Sequence, residues 1–156
     1  MSLHYLTVQD ILWINLQVTK RTQTFSFAKL EEATFYQYGY GQSSSLLSQA
    51  SHFLSGFAQK KPFPLGNEAT AFVATVAFLH LNGMRFKLSD DTAPHWIERA
   101  IRDPGSATTA LAEVVEEDSE FHDSEASDVQ SAVGEVIDSY PRTLALIGTA
   151  ISPTLA

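Results

Sequence analysis

The residues best placed to do chemistry fall in one short stretch, Lys60-Lys61-Pro62-Phe63-Pro64-Leu65-Gly66-Asn67. Two prolines and a glycine within the five residues from Pro62 to Gly66 forbid a regular helix there. The stretch runs straight onto the start of an apolar helical pattern. A helix N-terminus leaves about four backbone N–H groups free and carries a partial positive charge. With a glycine in front, it can cradle phosphate. The plain alternative is a tight turn between helices, in which Phe63 packs and Gly66 permits the backbone path. Lys60 and Lys61 either form a small anion site facing the helix start or are solvated surface lysines.

Other reactive residue types are scattered. There is no cysteine, which excludes disulfides, a thiol nucleophile and thiolate metal sites. Residues 113–128 hold eight acidic residues and no Lys or Arg. Glu116, Glu117, Asp118, Glu120, His122 and Asp123 lack the fixed spacing of a cation-binding loop. The segment reads as a flexible acidic connector. His52 and His80 fall among apolar residues on helices and read as hydrogen-bonded interior or boundary residues. His95-Trp96 reads as a surface residue beside an anchor. No metal site is expected.

The elements that must position the loop are helical. Thr7 is placed to cap a first helix with Asp10 in its first turn, and Ile11, Leu12, Leu16 and Val18 continue an apolar face. A second helix covers residues 27–35, and the aromatic, glycine-interleaved stretch 35–41 reads as a loop or an irregular hairpin. Ser44 or Ser45 caps a third helix whose Leu46, Leu47, Ala50, Phe53, Leu54, Phe57 and Ala58 recur at helical spacing. From Ala69 to Leu81 no residue carries a formal charge. A helix apolar on every side is buried, so 68–81 is the central helix, stopped at Asn82-Gly83 with Gly83 left-handed. Leu88-Ser89-Asp90-Asp91 supplies caps for a helix containing Trp96, Ile97, Ala100 and Ile101, ended at Asp103-Pro104-Gly105. A short helix over 106–115 and an amphipathic stretch over 129–137 complete the pattern.

The strand signal is weak throughout, so the expected fold is all-α: a helical bundle over 1–112, the connector at 113–128, and a C-terminal helical extension over 129–156 packing on or near the domain. At 156 residues and 44% hydrophobic content, the chain can build one full core. It has neither an apolar run long enough to span a bilayer nor a signal-peptide pattern, so a cytoplasmic protein without a membrane role is expected. A net charge of -8 argues against broad nucleic-acid binding.

Residues 61–71 resemble the signature loop of the Fic/Doc family, and its death-on-curing branch in particular. That loop reads His-Pro-Phe, a variable residue, Asp or Ala, then Gly-Asn-Lys-Arg-Thr-Ala. Leu6-Thr7-Val8-Gln9-Asp10-Ile11-Leu12 is similar to the branch's opening Leu-Thr-x-x-Asp helix. Phe78-Leu79-His80-Leu81-Asn82-Gly83-Met84 is similar to its Phe-Leu-x-Leu-Asn-Gly-Tyr helix end, and Leu88-Ser89-Asp90-Asp91 falls at its next helix start. The likeness covers about residues 6–103 and implies a Fic-like bundle.

The resemblance also implies a lost reaction. Lys61 stands where the family has its histidine general base, and an ammonium with a pKa near ~10.4 holds its proton. Leu65 stands at the acidic, Mg²⁺-holding position and offers no side-chain oxygen. Glu68 and Ala69 replace the Lys-Arg pair that neutralises phosphates, and the Glu68 carboxylate would itself fill the anion site. Pro62, Phe63, Gly66, Asn67, Thr70 and Ala71 remain, the residues that shape and pack the loop. Tyr36, Tyr38 and Tyr40 lie at the family's peptide-aligning flap, which either docks a partner's extended segment or packs around a turn.

The expected function is therefore a catalytically inactive Fic/Doc-like binding or regulatory module with a protein partner and no cofactor. A homo-oligomer is left open. The alternative is a divergent nucleotide-dependent transferase using ATP and Mg²⁺, with Lys60 or Lys61 holding phosphate and Glu68 as base or metal ligand. A third reading is a partner in a toxin–antitoxin-like pair, its acidic segment contacting a basic protein.

Overall fold

In the computed structural model, which describes residues 3–38, 45–120 and 128–148, helix α4 (Asn67–Leu81) runs through the middle of the molecule. Of its residues only Glu68 and His80 reach solvent, each in part. Ala69, Ala71, Ala74 and Ala77 let neighbours approach closely, and Phe72, Phe78 and Leu79 fill the space between. Each fully buried side chain of that size contributes about 1.5–3 kcal/mol, so the helix is held by surroundings on every side. Those surroundings are α1 (Val8–Thr19), α3 (Leu46–Lys60) and α7 (Val129–Ser139). α2 (Phe27–Phe35) lies on α1 and α3, and α5 (Ala93–Arg102), α6 (Ala107–Ala112) and α8 (Pro141–Ile147) complete the bundle. The protein is mostly helical.

Local sequence sets most boundaries. Thr7 and Asp10 form a reciprocal capping box at the start of α1. Ser26 caps α2, Ser45 caps α3 and Asp128 caps α7. Gly83 follows α4 at φ 89°, a conformation that disfavours side chains.

Several expectations change. Among the described residues there is a small sheet: β1 (Met84–Phe86) pairs antiparallel with β2 (Val115–Glu117), Arg85 opposite Glu116. The first part of the acidic segment is thus not a free connector, because Val115 is buried and Glu116 lies 3.8 Å from both Arg85 and Lys87. Residues 121–127 and the end of the chain after Gly148 lie outside the described residues. The helix expected over 106–115 is the shorter α6, preceded by a 3-10 turn at Pro104–Ser106.

Nor does the Ser89-Asp90 stretch cap α5, which begins after Thr92 with no side-chain cap. Asp90 accepts instead from the backbone N–H groups of Arg142 and Thr143, both at 2.9 Å, and from the Thr143 hydroxyl at 2.7 Å. Its carboxylate sits on the first turn of α8. Tyr140 donates its hydroxyl to the Leu88 carbonyl, and burial, with the Asp90 charge nearby, pushes its phenol up to about 12. The core runs on through Ala132, Val133, Val136 and Tyr140.

Finally, four side-chain amides pin irregular backbone by pairing with both polar groups of one residue. Gln37 does this for Leu6, Asn82 for His4, Asn67 for Phe63 and Gln23 for Leu65. Segments with no ladder of their own thereby keep N–H and C=O groups satisfied, buried at Leu6 and Phe63 and nearer the surface at His4 and Leu65.

Candidate functional site

The Pro/Gly loop joins α3 to α4. Lys61 ends α3 in the left-handed region at φ 52°, its N–H donating to the Phe57 carbonyl. Pro62 and Phe63 then turn inward and are buried. Asn67 is the first residue of α4, and its amide reaches back to accept from Phe63 N at 3.1 Å and donate to Phe63 O at 2.6 Å. Gly66 precedes it at φ 76° and supplies no side-chain cap.

Leu65 is held from the other side. Its N–H donates to Gln23 Oε1 at 2.8 Å, and its carbonyl accepts from Gln23 Nε2 at 3.1 Å and from Asn15 Nδ2 at 3.2 Å. Asn15 also donates to Thr70 Oγ1 at 3.1 Å and accepts from Gln23 Nε2 at 2.6 Å. Asn15 and Thr70 are both buried. The result is a closed network of amides around one peptide, in which each buried polar group has a partner.

Gly66 is covered. A Cβ added there would lie 2.5 Å from Thr19 Cγ2 and 2.8 Å from the Gly148 carbonyl oxygen. The backbone of the turn after α8 and the last turn of α1 therefore fill the space on that face. A methyl group does not fit on that face without a shift of its neighbours.

The positions that differ from the resembled motif can now be placed. Lys61 is half-buried at the rim of an adjoining cleft. The Leu65 side chain is half-buried, and its carbonyl already accepts two donors, which leaves it poorly placed to ligate a metal. Glu68 is half-buried in the first turn of α4, with no hydrogen bond or ion pair among the described residues. Ala69 is fully buried, so a cation at that position would sit in the core. No group of three or more His, Asp or Glu that could hold a metal gathers among the described residues.

The adjoining cleft, of 570 Å³, opens between the end of the α1–α2 connection with Lys29 of α2 on one side and residues 59–64 on the other. The two walls are tied by a bond from Ser26 N to Pro62 O at 3.3 Å and by Phe25 and Phe63, whose rings lie 6.0 Å apart. Lys29, Lys60 and Lys61 line it. Lys60 is bonded to Glu32 at 2.6 Å, which raises the lysine's pKa and lowers the glutamate's. Lys29 and Lys61 have no ion pair among the described residues.

Of the tyrosines expected at a peptide-docking flap, Tyr36 and Tyr38 are occupied in packing, and Tyr40 lies outside the described residues. Tyr38 stacks on Tyr5 at 4.3 Å. Tyr36 covers Gly56, where a Cβ would come within 2.6 Å of its ring, and its hydroxyl donates to Glu32 at 3.3 Å. His52, expected inside or at the boundary, is exposed beside the Tyr36 ring at 5.0 Å. His80 does lie at the boundary, 3.7 Å from Glu135; burial lowers its pKa, against the opposing pull of Glu135 and Asp118.

Sequence reasoning missed Asn15, Thr19, Gln23 and Gly148. The one available signal was Asn15 itself, a polar residue on the face shared by Ile11, Ile14 and Val18, which demands a partner once buried. Comparison with protein-family models, with curated proteins and with solved structures finds no match for the chain. Among the described residues, no helix is long and apolar enough to cross a membrane.

Proposed function

We propose that the chain is a catalytically inactive Fic/Doc-like protein that acts as a binding or regulatory module. The observation that carries this reading is the closure of the loop. Leu65 is tied through both its amide and its carbonyl, and Gly66 is covered by Thr19 and Gly148. A nucleotide-handling loop needs exposed donors and room for phosphate beside them. Here one face of Gly66 is taken by protein, and the first turn of α4 carries the carboxylate of Glu68. The loop serves as a structural joint between α3 and α4, and surface beside it is left for a partner.

Calorimetric titration with ATP and Mg²⁺, paired with transfer assays using α- and γ-labelled nucleotide on cell lysate, tests the proposal. The expected result is neither saturable heat nor labelled protein. Micromolar ATP binding together with adenylyl or phosphoryl transfer, abolished by Glu68→Ala or Lys61→Ala, would overturn it.

A further inference from the structure

The 570 Å³ cleft beside the loop combines two chemistries that a structural joint does not require. The chain carries 18 acidic and 10 basic residues, yet Lys29, Lys60 and Lys61 all line this one recess. Lys20 and Arg21 lie at the start of the connection that forms one wall. Glu32 neutralises Lys60 alone, so two ammonium groups remain to face an incoming anion. An acidic molecule has thus kept a local cationic site.

The same recess is partly apolar. Phe25, on the cleft wall, is 40% exposed. Phe63 and Pro62 are buried behind Phe25, which fixes its ring and gives the wall an aromatic and proline surface. A free phosphate would use the lysines and leave the Phe25 ring in water. A bilayer needs a flat or protruding face, whereas these lysines line a recess. An extended peptide satisfies both, with carboxylates on the ammonium groups and an apolar side chain against Phe25.

We propose that this cleft docks an acidic linear segment of a partner protein, one in which carboxylates flank an aromatic or large aliphatic anchor. The proposal rests on the reading of the chain as a binding module and names the chemistry of its partner.

The test is fluorescence anisotropy with a labelled peptide of repeated Glu-Glu-Phe, against the same peptide with Gln in place of Glu. The Glu peptide is expected to bind saturably and to weaken as salt rises; the Gln peptide is not expected to bind. Lys29→Glu with Lys61→Glu should weaken binding by about tenfold or more, because two attractive pairs become repulsive. Lys87→Glu with Arg99→Glu changes net charge equally, just after β1 and on α5, and should leave affinity unchanged. Phe25→Ser should weaken binding at every salt concentration. If the reversed-charge protein melts early, Lys29→Gln with Lys61→Gln replaces it.

Equal binding of the Gln peptide, equal loss in both charge-reversed pairs, or displacement of the peptide by phosphatidylserine vesicles or by millimolar inorganic phosphate overturns the proposal. Absent peptide binding in a protein that also transfers no nucleotide label overturns the docking site and leaves the non-catalytic reading standing. Binding in a protein that does transfer label does the reverse.

Discussion

Substituting Gly66 by alanine probes the closed loop at its tightest point. Two costs add. Alanine at φ 76° occupies the left-handed region, at roughly 1–2 kcal/mol. Its Cβ would also stand 2.5 Å from Thr19 Cγ2 and 2.8 Å from Gly148 O, against carbon contacts of about 3.5–4.0 Å. Neither neighbour yields easily. Thr19 is held by a 2.7 Å bond from its hydroxyl to the Asn15 carbonyl, and the other obstacle is backbone. Overpacking of this kind costs about 1–3 kcal/mol. The sum is roughly 2–5 kcal/mol, which for a domain of this size lowers Tm by about 5–15 °C. Urea unfolding followed by circular dichroism gives the free energy. Thr19→Ser, which removes Cγ2 and keeps the hydroxyl, should recover at least about 0.5 kcal/mol of the loss when combined with Gly66→Ala. A Gly66→Ala protein within about 0.5 kcal/mol of wild type, or strictly additive effects in the double variant, would refute the account of the loop as closed.

Asn15→Leu strips donors from Leu65 and Thr70 and an acceptor from Gln23, and should cost about 2–4 kcal/mol in urea titrations; a neutral outcome would show that water enters the network. Asp90 loses some solvation in the folded protein, but the bonds from Thr143 and Arg142 and the Arg142 charge outweigh this and hold its pKa below 3.8. Its stabilising contribution is therefore present above that value and lost as pH falls through the lower, folded one. Asp90→Asn should flatten the acid limb of the stability curve, and an unchanged limb would contradict this. His80 works at higher pH. Burial, set against Glu135 and Asp118 and aided by Arg85, keeps its imidazole below 6.5. The unfolded chain thus takes up the proton first, and stability declines as pH drops below about 6.5. His80→Gln should remove that decline, which thermal melts between neutral and mildly acid pH would detect.

The central helix was readable because burial on every side leaves a compositional trace, an uncharged run closed by Asn82-Gly83. Caps within four residues of their targets, Thr7 with Asp10 and Ser45 with Ser48 N, were readable for the same local reason. Pairings across long sequence separations were not. Gln23 meets Leu65 across 42 positions and Asn15 meets Thr70 across 55. Likewise Asp90, which sits where a cap for the next helix belongs, is taken by a helix 52 residues onward. β2 hid because a three-residue strand among acids has no periodicity of its own, and its pairing with Arg85 and Lys87 decides it. His52 was misread because flanking Phe53 and Leu54 are buried, while its own face is covered only by the edge of Tyr36. At the loop, residue types announced a constrained joint, and the cover over Gly66 came from Gly148, beyond any local pattern.

The carboxylate of Asp90 on α8 also sets an order of events. A seven-residue helix is far below the roughly 12–15 residues at which isolated helices become marginal. Its first-turn amides take their acceptor from Asp90, in the loop between β1 and α5. With no side-chain cap of its own, α8 is expected to join among the last steps of folding and to open among the first. Substitutions at Asp90 or Thr143 should accordingly accelerate unfolding and leave the refolding rate nearly untouched. The amide protons of Leu144 to Ile147 should exchange through a local opening of lower free energy than those of α4.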